Sequence, residues 1–191
     1  MLNKVLLILF FLSFCFLSCS RFQAKIPITD FEYEKLSGEL RITKYLGESK
    51  EVVIPKTIKN MDVVAIGDYA FAEKQLTKIS IPRTITHIGD HAFAKNQITK
   101  ILLPRSIVHI GNSAFEENNL KGVATTFNLT HIGNKAFYNN QITDIIITHS
   151  VTHIGDEAFA LNKLTKVILP KHLVVGNIKY SFDKDVEIVK R

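Results

Sequence analysis

A 22-residue segment recurs five times without a gap, and it constrains the fold more than any other feature of the chain. The copies begin at Ile66, Ile88, Ile110, Ile132 and Ile154. Every copy opens with Ile-Gly and has Ala-Phe at its fifth and sixth positions. A short, regular period is typical of a solenoid, in which each repeat stacks on the one before it. The sequence therefore predicts a repeat solenoid and a single domain.

The recurring columns of the repeat each suit one structural role. The glycine at position 2 suits a turn with positive φ or a close backbone approach. The Asp or Asn at position 3 is a good helix cap, so a short helical turn is expected there. Stacked phenylalanines at position 6 would form an internal spine, each ring contributing about 1.5–3 kcal/mol through burial. The Asn at position 9 tolerates left-handed geometry and can satisfy backbone groups before a strand.

A short strand follows, with buried residues spaced as in Leu76, Ile79 and Ile81 and a proline at its end. The whole pattern, IG-[DN]-x-x-AF-x-x-N-x-[LI]-x-x-[IV]-x-[IL]-P, resembles the BspA-like leucine-rich repeat family of bacterial surface proteins over residues 66–175. The resemblance implies a right-handed α/β solenoid of short parallel strands and short helical turns, with capping strands. It also implies adhesion to proteins such as fibronectin or fibrinogen.

The remaining chain divides into four predicted segments. Residues 1–18 form a lipoprotein signal peptide and residues 19–29 a tether. Residues 30–65 form an N-terminal β cap with a half-repeat, in which Val52 to Pro55 aligns with the strand of a normal repeat. Residues 176–191 form a C-terminal cap, where Gly176 and Phe182 suggest a sixth copy out of register. Atypical ends are expected because terminal repeats need a soluble outer face.

The N-terminus predicts export and lipid attachment. Lys4 precedes an apolar run, Val5 to Leu17, which has the length of a signal-peptide core and is too short to span a membrane. The run ends in Phe-Leu-Ser before Cys19, the predicted lipidated residue. Cys15 would leave with the leader, so the mature chain would have no disulfide. We expect the protein at the bacterial cell envelope, with the outer membrane or cell surface favoured over a periplasm-facing location.

Candidate chemistry is sparse. Histidines stand at position 22 of four successive copies, namely His87, His109, His131 and His153. Because stacked strands lie about 4.8 Å apart, these rings could form a metal ladder. The favoured interpretation is a tolerated polar column that was copied by duplication. The Asp/Asn column is interpreted as caps rather than a calcium site. No hydrolase, zinc-protease, phosphate-loop or dithiol motif is present, so neither enzymatic activity nor a cofactor is predicted.

The net charge is +6, with lysines spread along the repeats, and export argues against nucleic acid as a partner. The outward strand positions, 13 and 15, are predicted to line the concave face and bind a partner. These residues are Lys78, Lys100, Leu102, Asp144, Ile146, Lys166 and Ile168. An apolar stripe flanked by lysines suggests a partner surface, unless the N-terminal segment or a second copy covers it.

Three functional hypotheses follow from the sequence. The first is a lipid-anchored adhesin that binds host matrix or cell-surface proteins. The second is a periplasm-facing structural or assembly lipoprotein with bacterial partners. The third is a metal-binding protein that uses the histidine column. The oligomeric state is left open.

Overall fold

The structure is a computed structural model that describes residues 27–173 and 180–191, and this part of the chain forms a β-solenoid. The solenoid prediction is confirmed. A 3-10 helix spans Ile28–Asp30. The strands are β1 (Phe31–Leu36), β2 (Glu39–Tyr45), β3 (Glu51–Val53), β4 (Thr57–Ile58), β5 (Met61–Ile66), β6 (Lys78–Ser80), β7 (His87–Ile88), β8 (His109–Ile110), β9 (Gly122–Ala124), β10 (His131–Ile132), β11 (Asp144–Ile146), β12 (His153–Ile154), β13 (Lys166–Leu169) and β14 (Glu187–Lys190).

A continuous ladder runs along one side of the solenoid, and we call it the His–Ile ladder. It joins β5, β7, β8, β10 and β12, all parallel, and it extends through β2 to β1 at the N-terminal end. Each repeat contributes one His and one Ile, paired with the same residues of the next repeat. The glycine after each Ile continues the pairing, since the Gly111 N–H donates to the Ile88 carbonyl at 2.8 Å.

A second set of strands lies at positions 13–15 of the repeats, and we call this surface the stripe side. Its strands form three separate pairs, β3–β6, β9–β11 and β13–β14. The middle residue of each repeat strand points inward. In β6, for example, Ile79 is buried, whereas its neighbours Lys78 and Ser80 are exposed. Residues 100–102 occupy the corresponding place in the second copy but form no strand. The backbone pairing on the stripe side is therefore interrupted.

The core is a stack of aromatic rings, as the sequence predicts. Neighbouring ring centroids from Phe71 to Phe159 are 5.0–5.3 Å apart, and these five phenylalanines are fully buried. Tyr45 continues the stack at the N-terminal end, 5.5 Å from Phe71. Phe182 continues it at the other end, 5.4 Å from Phe159. Phe182 thus occupies the spine position of a sixth copy, while Gly176 lies outside the described residues.

The turns differ from the expected short helical turns. In the described residues there is no α-helix, because left-handed residues recur at positions 4 and 8 of the repeat, with φ of 57° at Tyr69 and 58° at Glu73 in the first copy. The Asp/Asn side chain does not cap its own turn. Asp90 instead accepts a hydrogen bond from the N–H of Asn112, 22 residues later, at 2.7 Å. This column therefore connects adjacent repeats and does not start helices.

The repeat glycines serve close approach and do not adopt positive φ. A Cβ at Gly111 would lie 2.4 Å from an Asp90 carboxylate oxygen and 2.7 Å from the Gly89 carbonyl carbon. The described glycine with positive φ is Gly38, in the turn between β1 and β2. Of the two roles expected for the glycine column, only close approach is confirmed.

The asparagines at position 9 form a buried ladder between repeats. The Asn96 Oδ1 accepts hydrogen bonds from the N–H groups of Lys74 and Leu76, at 3.1 and 2.9 Å. Its Nδ2 donates to the carbonyls of Phe71 and Phe93 at 2.8 and 2.9 Å. The expected backbone satisfaction is confirmed. The expected left-handed geometry falls one residue earlier, on position 8.

The two ends of the solenoid carry extra strands. At the N-terminal end β1 and β2 form an antiparallel hairpin, and β3 pairs with β6 so that Val52 lies opposite Ile79, as the sequence alignment predicts. The insertion before Ile66 forms a second hairpin, β4–β5, that sequence reasoning did not foresee. At the C-terminal end β14 pairs with β13. Within the described segments no helix has the length and apolar character needed to cross a membrane.

Candidate partner-binding face

The stripe side exposes large apolar side chains in one column. Leu102 is 75% exposed, Ile146 65% and Ile168 46%. All three occupy position 15, between inward-facing residues at positions 14 and 16. Strand alternation explains the orientation of Ile146 and Ile168, since successive side chains of a strand point to opposite faces. Leu102 keeps the same outward orientation although residues 100–102 form no strand. These residues are outside the core and contribute little to it, so their exposure needs another explanation.

The charged residues at position 13 differ in how they are paired. Lys78 lies 3.5 Å from the Glu51 carboxylate, and Lys166 lies 3.1 Å from that of Glu187. Both carboxylates belong to the end strands β3 and β14. Asp144 accepts a hydrogen bond from the Thr143 hydroxyl at 2.7 Å.

Lys100 has no ion pair with any described residue. The capping strands therefore neutralise the lysines at the two ends of the stripe and leave the lysine at its interrupted part available.

The predicted site residues lie on one side but in separate groups. Asp144 and Ile146 sit in β11, paired with Gly122 and Ala124 of β9. Lys166 and Ile168 belong to β13, which bonds to β14. Lys100 and Leu102 lie in residues 100–102 of the second copy, which form no strand.

An open groove of about 1310 Å³ lies at the interruption. Four cationic side chains line it against one carboxylate. These charged residues are Lys78, Arg83, Lys100, Arg105 and Glu51. Hydroxyl groups of the first two repeats, such as those of Ser80 and Ser106, also line it. The groove therefore combines an excess of positive charge with hydrogen-bonding groups and the exposed Leu102 side chain.

The histidines of the His–Ile ladder stack face to face. The ring centroids of His109 and His131 are 4.5 Å apart, and those of His131 and His153 are 4.3 Å apart, with interplanar angles of 10° and 5°. Burial lowers the pKa of His109 below its usual value, with repulsion from His87 and His153 adding to the effect and Asp90 opposing it. Burial likewise lowers the pKa of His131, with further contributions from its neighbouring histidines.

Stacking also bears on the metal-ladder hypothesis. Imidazole nitrogens coordinate metals in the ring plane, so parallel stacked rings direct their lone pairs side by side and not toward a common point. In residues 27–173 and 180–191 no group of three or more His, Cys, Asp or Glu side chains is placed to hold a metal ion. We therefore propose no metal site in this column.

The repeat geometry agrees with a family match. The family model described as the BspA type leucine-rich repeat region matches residues 64–185, in six copies, which is well over half of the chain. The chain belongs to the BspA-type leucine-rich repeat family. The match runs through Phe182, in agreement with the place of that ring at the end of the aromatic stack.

Solved structures similar to this BspA-type chain come from several bacteria. The T. pallidum leucine-rich repeat protein TpLRR is 26% identical with a TM-score of 0.72, covering 87% of this chain and 86% of that one. A leucine-rich cell surface protein from Faecalibacterium prausnitzii is 22% identical with a TM-score of 0.56, covering 75% and 48%. The pneumococcal vaccine antigen PcpA is 20% identical with a TM-score of 0.63, covering 86% and 45%. No curated protein sequence matches the chain.

Val53 and Phe127 are two of the exposed apolar residues that the sequence reasoning did not single out. Val53, 46% exposed, occupies position 15 of the N-terminal half-repeat. It could have been found by extending the alignment of Val52 by one residue. Phe127, 73% exposed, lies under the Arg105 guanidinium at 5.9 Å from ring centroid to Cζ. Its signal was a phenylalanine at position 18, where the other copies have Arg, His or Lys.

Proposed function

We propose that this BspA-type solenoid is a non-catalytic protein-binding module of a lipid-anchored surface protein, an adhesin for host matrix or cell-surface proteins. The observation that carries the proposal is the exposed apolar column of the stripe side, formed by Leu102, Ile146 and Ile168. Large apolar side chains that recur in water along one side of a molecule indicate a surface that a partner covers. The adjacent lysines would supply the polar rim that surrounds such a contact in protein interfaces.

A binding role also suits the repeated architecture. Each repeat places equivalent side chains along one side of the solenoid, which yields an extended surface able to contact a large partner. Catalysis needs a set of different residues brought to one point, and the repeats supply columns of similar residues instead. The family relationship supports a protein-interaction module, while the partner and the adhesive role are our proposal.

The proposed location rests on the N-terminus and on the similar proteins. Cys19, the proposed lipid attachment site, and the leader before it lie outside the described residues. The F. prausnitzii protein is described as a cell surface protein and PcpA as a vaccine antigen. Replacing Cys19 by Ser should move the protein from the detergent phase to the aqueous phase in a detergent-partition experiment. Unchanged partitioning would contradict lipid attachment at this residue.

Capture of matrix proteins tests the binding role. Residues 20–191 would be incubated with immobilised fibronectin, fibrinogen and other matrix proteins, at low and at physiological salt. We expect salt-resistant binding to at least one of them, lost when Leu102 and Ile146 are both replaced by Glu. The matched control is Q97E/N119E, which adds two carboxylates at exposed positions outside the stripe. Binding that disappears at physiological salt would indicate generic charge attraction and contradict the proposal.

Protease treatment of intact cells tests the surface location. A surface adhesin should be cleaved by added protease while periplasmic markers stay intact. Protection of the solenoid on intact cells would favour the periplasm-facing structural role, with bacterial envelope proteins as its partners.

A further inference from the structure

The groove at the second repeat has unpaired backbone on both sides. Strand β6 bonds to β3 along one edge and, among the described residues, to nothing along the other. From Thr99 to Leu103 the backbone makes a single hydrogen bond to described residues, in which Thr99 accepts from the Lys121 N–H at 3.4 Å. Both segments line the groove. The two segments stay on adjacent rungs, because the Gln97 N–H donates to the Leu76 carbonyl at 2.8 Å, so no further strand fits between them. Their unpaired backbone groups remain available to a peptide that lies in the groove.

The positive charge of the groove favours a negatively charged peptide. Glu51 and Lys78 pair with each other, which leaves Arg83, Lys100 and Arg105 as its cations. Lys100 and Arg83 have no ion pair with a described residue, and Arg105 lies over the Phe127 ring. A negatively charged ligand would therefore meet cations without first breaking a salt bridge. Complementary charge of this kind favours a specific partner and speeds its association.

The exposed apolar side chain in the groove favours a peptide ligand over an anionic polysaccharide. Leu102, in the second of the two unpaired segments, lines the groove and is 75% exposed. A sulfated polysaccharide would satisfy the cations but would leave this side chain in water. An extended peptide can alternate its side chains, so that acidic residues reach the cations while an apolar residue covers Leu102.

We infer that this groove binds an extended acidic peptide segment of a partner protein, which lies over the two segments, hydrogen-bonds to their unpaired backbone groups and contacts Lys100 and Arg105 with carboxylates. The inference rests on the proposed function, because it places one part of the protein partner on the stripe side. It adds a chemical class for that segment, acidic with interspersed apolar residues, and a specific place for it at the second repeat.

Fluorescence anisotropy with a defined probe tests the inference. The purified full-length chain, in mild detergent, would be titrated into the fluorescein-labelled peptide EDLEDLEDE. We expect saturable binding that weakens at least about tenfold in K100E/R105E, since two attractions become repulsions. The matched control is K163E/K184E, which makes the same change in net charge at exposed residues away from the groove. An equal loss in the control would overturn the inference.

A second pair of probes tests backbone pairing. The same peptide with alternate amides N-methylated keeps its charge but cannot donate at those positions to the unpaired carbonyls of the groove, so we expect at least about tenfold weaker binding. Equal affinity of the methylated peptide, or binding of dextran sulfate with no binding of the peptide, would overturn backbone recognition. Circular dichroism of each variant would show that its fold is retained.

Two further variants separate this inference from the proposed function. L102S should lose peptide binding, whereas I146S, at the same column but outside the groove, should retain it. If L102E/I146E abolishes capture of a matrix protein while the wild-type chain fails to bind the peptide, only the groove inference fails. If the peptide binds but no matrix protein is captured, only the proposed adhesin role fails.

Discussion

The two sides of the solenoid follow the same 22-residue period but differ in backbone pairing. The His–Ile ladder is continuous from β5 to β12, and its strands keep one register throughout. The stripe side breaks into pairs and leaves residues 100–102 without a strand. The continuous ladder holds the repeats at strand spacing, so the other side is free to diverge. The comparison indicates that one side of the repeat maintains the fold and the other presents a surface.

Amide hydrogen exchange should give the largest contrast between the two sides. The Val108 and Gly111 amides each donate to the preceding repeat at 2.8 Å, whereas those of Lys100 to Leu103 have no backbone acceptor among the described residues. We expect exchange at least about a hundredfold slower for the first group, because its hydrogen bonds open only with the ladder. Similar protection of both groups would remove the distinction between a continuous and an interrupted side.

Removing one asparagine of the buried ladder should give the next largest effect. The Asn118 side chain makes four hydrogen bonds, one to the Ile98 N–H and three to carbonyls that include those of Phe93 and Phe115. Asn118→Ala should lower the free energy of unfolding by about 2–4 kcal/mol, since buried backbone groups lose their partners. Urea denaturation measures this change in the free energy of unfolding. Asn119→Ala, at an exposed residue, is the control and should change stability by less than about 0.5 kcal/mol.

Two glycine substitutions compare the sides directly. A Cβ at Gly111, beside the His–Ile ladder, would overlap backbone atoms of the previous repeat, so Gly111→Ala should destabilise by about 1–3 kcal/mol. A Cβ at Gly122, on the stripe side, would meet only the Asp144 carbonyl oxygen at 3.4 Å. Gly122→Ala should therefore be neutral or stabilise by up to about 1 kcal/mol. Equal destabilisation by both substitutions, measured by urea denaturation, would contradict the proposed difference in packing.

The smallest expected effect is a pH dependence carried by the His–Ile ladder. The pKa values of His109 and His131 are lowered in the folded protein, so the unfolded chain binds protons more readily. Their contribution to stability is present above pH of about 6.5 and is lost as the pH falls through the lowered values.

Urea midpoints measured between pH 7.5 and pH 5 should therefore decrease toward acid. The variant H109N/H131N should show a flatter profile, while N119A, which removes no titratable group, should not. An unchanged slope in the double variant would assign the acid sensitivity to other groups.

Much of the scaffold could be predicted from the recurring columns. The phenylalanine column forms the spine and Val52 aligns with Ile79, because a strict period places equivalent residues at equivalent depths. The cap role of the Asp/Asn column was wrong, since its hydrogen-bond partner lies 22 residues away, as for Asp90 and Asn112. Local rules for helix caps consider neighbours within one turn and cannot anticipate a donor from the next repeat.

The candidate site could be predicted only in part. The exposure of Leu102 and Ile146 follows from the alternation of apolar columns within the repeat, which a sequence displays directly. The pairing of Lys78 with Glu51 does not, because the two residues meet only when β3 adds to β6.

A contact between the third and fourth copies was likewise not predictable from the sequence. Thr125 breaks the apolar pattern, and the structure accommodates its hydroxyl by a 3.0 Å contact with that of Thr148 in the next copy.

The sequence by itself determined that the chain stacks 22-residue repeats around a phenylalanine spine, because burial of one apolar set per repeat permits few other arrangements. Tertiary structure alone decided where the backbone pairing continues and where it stops. Each hydrogen bond between repeats depends on the separation of two segments that are distant in the chain, and small differences in packing set that separation. The interruption at the second repeat therefore arises only when the repeats stack. The groove arises with it, as does the absence of an ion pair between Lys100 and any described residue.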